Sequence, residues 1–366
     1  MPDLLLFTDI DRGFEPAGAD DAPTAMSIVA ALAGHGIAAE YVPFFKPPWN
    51  PLAGQHALWR AIDPARAVWA MLRRRKMKVL LSIVESGAVV PLALRPLFRR
   101  PILVMHDSDH ADWRPRRIVQ EFVLPRADLV LTQTHAQAEY LVRQFTLRRP
   151  PFYVGPRIDE AFFRPDPAAG PGDYALAVGN DAARDFSLLV EAAAGLDLEL
   201  KLLTRLPVPQ PTGARARIEV IDRRVSYREL RTLYAGARLV ALPLRQRISP
   251  GGMTSLLEAM AMGKPYVLSA SSGVTELAED GVTGRVVPIG DTAAFGAALA
   301  ELWTDPARAA AMGAAGRARV ERDFSTAARA RRLAAAMDMV LPGPSATRPG
   351  PNIMAANNRH TQAPDD

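Results

Sequence analysis

The sequence contains no cysteine among its 366 residues. This absence excludes a disulfide framework, thiolate catalysis, cysteine-ligated zinc and iron–sulfur clusters. Histidine is also scarce: the six present are scattered along the chain, which leaves little scope for a metal site built from several histidines. A chain without disulfides fits a reducing compartment, so we expect a cytoplasmic protein.

Long hydrophobic runs are lacking as well. The first residues, MPDLLLFTDID, carry acid and no basic segment, which predicts a first β-strand rather than a signal peptide. The most apolar later stretch, Val79–Leu97, is interrupted by Glu85, Pro91 and Arg95. Since a membrane-spanning helix needs about 20 apolar residues, we expect a buried strand followed by a helix here.

Basic residues only slightly outnumber acidic ones, with 44 Lys and Arg against 39 Asp and Glu and a net charge of +5. Such a balance favours anionic ligands, including phosphates, nucleotides and acidic lipid surfaces. The sequence carries no helix-turn-helix, RNP or zinc-finger signature, so nucleic acid is not expected as a partner.

Short aliphatic strands alternate with amphipathic helices along the chain, which predicts an α/β fold with two doubly wound parallel sheets. A segment rich in Pro, Gly and Asp around residues 150–171 separates the two series. The predicted organisation is a first domain at 1–150, a linker at 151–172, a second domain at 173–325, a terminal helix at 326–341 and a disordered tail at 342–366. In such sheets ligands bind beyond the carboxyl ends of the strands.

The strongest local pattern follows the predicted strand Leu239–Pro243. Gly251 and Gly252 open a helix whose first turn holds Thr254. Backbone N–H groups and the helix dipole at such a turn bind anions. Glu258 lies four residues after Thr254, on the same face of the helix. A carboxylate at that position can accept hydrogen bonds from a diol such as a ribose. In isolation, this pattern would favour a tight turn and a solvated or capping acid.

The longer segment Ile248–Pro288, which includes LLEAMAMGKP, Gly273, Glu276 and DGVTG, closely resembles the C-terminal domain of the GT-B retaining glycosyltransferases. Upstream, VSYRELRTLYAGARLVALPL, YALAVGNDAARDFSLLVEAA and VGPRIDEAFFRP resemble the family's strands, helices and interdomain linker. The resemblance is specific over about residues 154–324 and only architectural before them. It implies two Rossmann-like domains that face a cleft.

The resemblance assigns roles to several residues of the second domain. Glu258 matches the second glutamate of the family's paired motif and is expected to bind the ribose, whereas Pro250 stands where the first glutamate would contact the donor sugar. The Gly251 and Gly252 amides and Thr254 fit a diphosphate cradle. Arg184 matches the family's phosphate-binding lysine, and a guanidinium can replace the ammonium.

Other cations around this site are weaker candidates. The family's arginine position holds Asn180. Arg205, at the end of the next strand, could add positive charge, as could Arg245 or Arg247. For these three arginines a solvated surface charge is the favoured interpretation.

In the first domain, His106 ends a strand in VMHDSDH, where relatives commonly have a histidine that faces the donor sugar. His110 and Asp107 on the same loop compete for that role. Asp109 could make the loop a carboxylate–imidazole pair, but DSD alone is not a metal signature. Gly13 or Gly18 could let the backbone approach the phosphates, and the sequence does not decide between them.

Aromatic and basic residues mix in Phe44–Trp59 and Trp69–Lys78. One interpretation is contact with an anionic membrane surface or a lipid-linked acceptor. The other, which we favour, is buried tryptophan beside a solvated basic helix end.

The implied function is transfer of a sugar from a nucleotide-sugar donor to a glycan, lipid-linked or small-molecule acceptor, with retention of configuration and without a metal or other cofactor. Such enzymes act in glycan, polysaccharide or glycolipid synthesis. Pro250 and Asn180 keep a second hypothesis open, a non-catalytic GT-B module that binds a nucleotide or glycan. A third is an epimerase or phosphorylase with the same fold. A nicotinamide dehydrogenase is disfavoured because no GxGxxG follows the first strand of either half.

Overall fold

The chain forms two parallel β-sheets flanked by helices. The structure, a computed structural model, describes residues 3–7, 26–42, 72, 77–83, 85–97, 100–105, 114–166, 172–210, 213–247 and 251–341. The predicted tail at 342–366 lies outside these ranges.

The first sheet has six strands in the order β2-β1-β3-β4-β5-β6, and all neighbours are parallel. The strands are β1 (Leu4–Phe7), β2 (Ala39–Val42), β3 (Val79–Ser82), β4 (Ile102–Met105), β5 (Leu129–Thr132) and β6 (Phe152–Tyr153). The helices are α1 (Met26–Ala33), α2 (Val89–Ala93), α3 (Arg114–Val123) and α4 (His135–Gln144), with a 3₁₀ turn at Glu85–Ala88. Every residue of β3, β4 and β5 is buried, because helices cover both faces of the sheet.

The second sheet has the order β12-β11-β10-β7-β8-β9, again entirely parallel. Its strands are β7 (Tyr174–Val178), β8 (Glu199–Leu203), β9 (Arg217–Ile221), β10 (Ala237–Leu242), β11 (Tyr266–Ser269) and β12 (Arg285–Val287). Its helices are α5 (Phe186–Ala193), α6 (Tyr227–Gly236), α7 (Met253–Ala261), α8 (Thr292–Thr304) and α9 (Pro306–Arg319). The chain builds outward from β7 through β8 to β9 and then crosses to β10, so the strand order reverses between β7 and β10.

The last helix, α10 (Thr326–Asp338), returns to the first domain. Its apolar residues Ala330, Leu333 and Met337 join one hydrophobic core with strands β1, β3, β4 and β5 of the first sheet. The second sheet has separate cores on its two faces. The terminal helix is therefore packed as part of the first domain although it follows the second in sequence.

Side-chain caps fix where several helices begin. The N-cap oxygen accepts a hydrogen bond from the backbone N–H three residues later at Thr134, Asp185, Ser226, Asp291 and Ser325. At Thr134 the bond is reciprocated by Gln137, which completes a capping box. The caps at Thr134, Asp185 and Ser325 therefore define the first residues of α4, α5 and α10.

The predicted fold class is confirmed. Two differences concern boundaries. Residues Phe152–Tyr153, inside the predicted linker, add strand β6 to the first sheet because their backbone pairs with β5. The sequence of Pro306–Phe324 predicts one continuous helix, but the structure changes at Val320 to a π-helical turn that runs to Phe324, and α10 begins two residues later.

Candidate active site at the strand-order reversal of the second sheet

Two loops meet where the strand order of the second sheet reverses. One follows β7 and runs from Gly179 to Asp185, and the other follows β10 and leads through Gly251 and Gly252 into α7. The backbone ties the loops together, because Asp185 N donates to the Pro243 carbonyl at 2.9 Å and Arg245 N donates to the Ala183 carbonyl at 2.8 Å. Ligands of doubly wound folds bind at this place.

The glycine pair brings the two loops into close contact. Gly252 has a φ of +86° and caps α7 from the left-handed region, which favours glycine. A Cβ on Gly252 would lie 2.9 Å from Leu244 Cδ1, and one on Gly251 would lie 2.7 Å from Ala183 Cβ. A side chain at position 251 would therefore push the β7 loop away from the N-terminus of α7, and one at position 252 would collide with Leu244 in the segment after β10. The first-turn N–H groups of α7 have no partner within the helix.

Arg184 lies beside this helix N-terminus and is buried, with 5% of its surface exposed. Its Nε donates to Asp181 Oδ2 at 3.1 Å and its Nη2 donates to Ser255 Oγ at 3.1 Å. Nη1 has no hydrogen-bond partner. Ser255 in turn donates to the carbonyl of Val178, the last residue of β7.

The Arg184 guanidinium forms an ion pair with Asp181, and its unused Nη1 group can still donate to an anion. It acts together with the helix dipole of α7, whose N-terminus points at the same place. The approach is possible because residue 179 is glycine: a Cβ there would lie 2.0 Å from Arg184 Nε. The geometry of Arg184 therefore suits a phosphate group held between the two loops.

Glu258, one turn further along α7, is buried with 5% exposure. The hydroxyl of Tyr234, on α6, donates to Glu258 Oε2 at 2.7 Å. Burial, with the nearby Glu258 carboxylate, raises the pKa of Tyr234 well above its ordinary value, so the phenol keeps its proton. Thr254, which shares the Glu258 face of the helix, is exposed at the N-terminal end.

The other predicted residues occupy the rim of this site. Asn180 and Arg205 are exposed and joined to each other, since Arg205 N donates to Asn180 Oδ1 at 2.6 Å. The Arg245 guanidinium pairs with Asp185 Oδ1 at 3.2 Å. The structure thus brings together Arg184, Gly251, Gly252, Thr254 and Glu258, with Asn180 and Arg205 beside them.

Several predicted residues lie outside the described part of the chain: His106, His110, Asp107, Asp109, Gly13, Gly18 and Pro250. The segment Phe44–Trp59 also lies outside it. Of Trp69–Lys78 the structure describes Leu72, which is exposed, Met77, which is buried, and Lys78, which pairs with Asp3 at 2.8 Å.

Sequence analysis gave no role to Tyr234 or Asp181. Tyr234 stands in the segment that resembles the family's lead-in helix, yet only the packing of α6 against α7 shows its contact with Glu258. Asp181, two residues after the strand-end glycine, holds Arg184 Nε. Its position three residues before the predicted phosphate-binding Arg184 could have indicated this contact.

A contact between the domains also went unpredicted. The carboxylate of Glu276, in the second domain, accepts hydrogen bonds from His135 N at 2.9 Å and Ala136 N at 3.2 Å at the start of α4. The same carboxylate lies 3.2 Å from His135 Nδ1, and this hydrogen bond raises the pKa of His135. The imidazole stacks on Tyr153 with a centroid separation of 4.2 Å.

Within the described ranges, no group of three or more His, Asp or Glu side chains is arranged to hold a metal ion. Among the helices of those same ranges, none is long and apolar enough to cross a membrane.

The chain resembles known proteins in a segment of its sequence and in its fold. Residues 183–305 match the family model described as glycosyl transferases group 1. The chain has a GT-B fold, and its second domain resembles the group 1 glycosyltransferases over the matched segment. The match begins one residue before Arg184 and includes Gly251, Gly252, Thr254 and Glu258, so the site lies within the matched segment.

Among curated relatives of this GT-B protein is the GDP-mannose-dependent alpha-(1-6)-phosphatidylinositol monomannoside mannosyltransferase of Mycolicibacterium smegmatis, 41% identical over 102 residues. This match covers 27% of each chain. Another is the alpha-maltose-1-phosphate synthase of Mycobacterium tuberculosis, 32% identical over 149 residues, or 39% of this chain and 38% of that one. The matches thus span well under half the length of these relatives.

Solved structures resemble the whole fold. Sucrose-phosphate synthase from Thermosynechococcus elongatus superposes with a TM-score of 0.73 at 19% identity, over 93% of this chain and 99% of that one. Anabaena HepE, solved with UDP and glucose, gives a TM-score of 0.65 at 15% identity, over 92% and 100%. At these identities the likeness concerns the fold.

Proposed function

We propose that the protein is a glycosyltransferase that moves a sugar from a nucleoside-diphosphate sugar to an acceptor, with retention of configuration. The observation that carries the proposal is the buried guanidinium of Arg184, whose Nη1 lacks a partner beside the N-terminus of α7. The segment that matches the group 1 family supports it, as does a HepE structure that holds UDP and glucose.

In this proposal the donor diphosphate lies between the loop after β7 and the N-terminus of α7. Arg184 and the amides of Gly251 and Gly252 neutralise the charge that develops on the departing diphosphate, and Thr254 lines the same turn. The buried Glu258 accepts hydrogen bonds from the ribose, while Asn180 and Arg205 form the rim. We assign His106 to the donor-sugar side of the cleft, as the family resemblance implies.

The proposal requires no metal or other cofactor, because Arg184 and the helix dipole supply positive charge at the diphosphate. We therefore expect turnover to persist in the presence of EDTA. Dependence of turnover on added Mg²⁺ or Mn²⁺ would contradict this part of the proposal.

The acceptor belongs on the first-domain side of the cleft. The names of two relatives mention a phosphorylated lipid or sugar, phosphatidylinositol monomannoside in one and alpha-maltose-1-phosphate in the other. We propose an acceptor of the glycan, glycolipid or small-molecule class and a role in glycan, polysaccharide or glycolipid synthesis.

The experiment measures release of nucleoside diphosphate from UDP- and GDP-hexoses, with and without a panel of lipid-linked and soluble acceptors. Removing one transition-state donor typically costs about 10²–10³ in rate, so Arg184→Met should lose about a hundredfold. The matched control is Arg215→Met, which removes an exposed arginine at the amino end of β9. Equal rates in the two variants would contradict the assignment of Arg184.

A second candidate is a GT-B module that binds a nucleotide or glycan without turnover. Pro250 and Asn180 motivate it, because they replace the acid and the arginine of the related motif. It predicts nucleotide binding without transfer or hydrolysis with any donor. Product formation from donor alone would point instead to an epimerase or phosphorylase.

A further inference from the structure

A second buried arginine, far from Arg184 in sequence, contacts the first domain. Arg329, on α10, is 6% exposed. Its Nη2 lies 3.0 Å from the sulfur of Met105, the last residue of β4, and Nη1 has no hydrogen-bond partner among the residues that the structure describes. A thioether sulfur is only a weak acceptor. Among the described residues no carboxylate forms an ion pair with Arg329.

Two more arginines surround it. Arg157, after β6, donates from Nη1 to Thr326 Oγ1 at 3.2 Å, and Arg332 donates from Nη1 to the Asp323 carbonyl at 2.6 Å. Burial, together with the positive charges of Arg157 and Arg332, lowers the pKa of Arg329 to about 9. The guanidinium is therefore held in a place that disfavours its charge.

Among the described residues, the acids near this cluster do not pair with Arg329. Burial lowers the pKa of Arg157, and the charges of Asp159 and Glu160 partly offset that shift. Glu160 Oε2 accepts a hydrogen bond from Thr326 N at 3.1 Å.

Glu276 influences the neighbouring Tyr153, but its carboxylate is bound to the N-terminus of α4 and to His135. A buried cation without a counter-charge is costly, and a methionine or leucine could fill the same volume without that cost. An arginine here is explained if an anion completes the cluster.

The position of the three arginines indicates which kind of anion they bind. Met105 and Tyr153 are the last residues of β4 and β6, so the arginines lie at the carboxyl edge of the first sheet, where a doubly wound domain binds its ligand. Guanidinium groups bind phosphate oxygens two at a time, and three of them favour a dianionic phosphate over a carboxylate.

We propose that Arg329, with Arg157 and Arg332, binds a phosphate group of the acceptor. The inference rests on the proposed function, which places the acceptor in the first domain. It narrows the acceptor to a phosphorylated molecule, either a soluble phosphate ester or a lipid with a phosphate in its headgroup. Because Nη1 is covered in this structure, the groups that cover it move when the ligand binds.

The test compares Arg329→Met with Arg331→Met, which removes an exposed arginine from the same helix. Binding of inorganic phosphate is measured by calorimetry in the presence of saturating nucleoside diphosphate. The donor site is the same in both variants, so any difference between them reports on Arg329. We expect wild type and Arg331→Met to bind phosphate equally and Arg329→Met to bind it at least tenfold more weakly. We also expect Arg329→Met to unfold at the same temperature as wild type or higher, because it loses an uncompensated buried charge.

Equal phosphate affinity in the two variants, or no phosphate binding by wild type, would overturn the proposal. A lower melting temperature of Arg329→Met with an unchanged phosphate affinity would show that the arginine is structural. If Arg329→Met does not fold, Arg329→Lys keeps the charge without the paired donors, and a weakened affinity is again required.

Two further probes distinguish the source of the phosphate. A soluble hexose 1-phosphate and vesicles of phosphatidylglycerol are each titrated against the same variants. The probe whose binding depends on Arg329 identifies a soluble or a lipid acceptor. Nucleotide affinity is measured in parallel and should not change in Arg329→Met, so failure of the donor site and failure of this inference give different results.

Discussion

The hydroxyl of Tyr234 donates a 2.7 Å hydrogen bond to Oε2 of Glu258, and both side chains are buried. The bond joins α6 to α7 and helps to fix the orientation of the Glu258 carboxylate. Because the phenol keeps its proton, it is a permanent donor to that carboxylate. Glu258 therefore has one oxygen anchored by the protein, and the proposed ribose contact depends on that anchor.

Tyr234→Phe should weaken nucleotide binding without abolishing the fold. Losing a hydrogen bond to a charged group costs about 1.5–3 kcal/mol, and urea unfolding should show a loss in this range. Nucleotide affinity should fall severalfold because Glu258 is no longer oriented. Tyr227→Phe, on the same helix, is the control and should leave nucleotide affinity unchanged. An undiminished affinity in Tyr234→Phe would show that Glu258 needs no anchor.

Gly252→Ala should be more harmful than the same change at a second glycine with positive φ. Gly281 has a φ of +72° and open space around its Cα, whereas a Cβ on Gly252, with a φ of +86°, would meet Leu244. The left-handed conformation costs an L-residue roughly 1–2 kcal/mol, and this cost is common to both. Overpacking adds about 1–3 kcal/mol at Gly252 alone. Chemical denaturation should show that difference, and only Gly252→Ala should lose nucleotide affinity.

The His135–Glu276 contact should make the docking of the two domains depend on pH. The pKa of His135 is raised by its hydrogen bond to Glu276. A raised pKa means that the protonated form stabilises the fold, fully below the ordinary value of 6.5 and decreasingly as the pH rises through the folded value. The melting temperature of wild type should therefore exceed that of His135→Gln most at about pH 5.5, and the difference should shrink above neutrality. A difference that grows with pH would contradict the assignment.

Arg317→Met should destabilise the seam between the linker and the second domain. Arg317 Nη1 donates to three carbonyl oxygens, those of Glu160 at 3.0 Å, Phe163 at 2.8 Å and Ala261 at 2.8 Å. Since hydrogen bonds to charged groups contribute about 1.5–3 kcal/mol, we expect a loss of at least 2 kcal/mol in urea unfolding. Arg322→Met is the control, because an exposed pair such as Arg322–Asp323 contributes about 0–1 kcal/mol.

The strands of both domains could be predicted from sequence because each is a short aliphatic run bounded by turn residues. The sequence predicts strands at Leu4–Phe7, Ile102–Met105, Leu129–Thr132 and Tyr174–Val178, and these are the bounds of β1, β4, β5 and β7. It also predicts a helix at His135–Gln144, which is α4. The path of α10 could not be predicted in this way. Its alanines, Leu333 and Met337 specify a buried face, but local patterning does not say which sheet that face will cover.

The residues of the candidate site were likewise only partly predictable from the sequence. The glycines and Glu258 stood out because a turn and a helix have fixed spacing. The burial of Arg184 depends on Gly179 and Asp181, from the loop after β7, and on Ser255, from α7, which approach each other only in the folded chain. Arg329 is a stronger example, since its nearest partner, Met105, lies 224 positions away.

Thermal unfolding with UDP, GDP, ADP and TDP, on wild type and Glu258→Ala, tests whether the donor site binds a nucleotide through Glu258. The control is Glu191→Ala, which changes an exposed glutamate on α5. A ligand present at about 100 times its Kd adds roughly 2.7 kcal/mol of stability, which is readily seen. One nucleoside diphosphate should stabilise wild type and Glu191→Ala, and this stabilisation should be lost in Glu258→Ala. Stabilisation of wild type by none of the four, or by one that stabilises Glu258→Ala equally, would contradict the donor site described here.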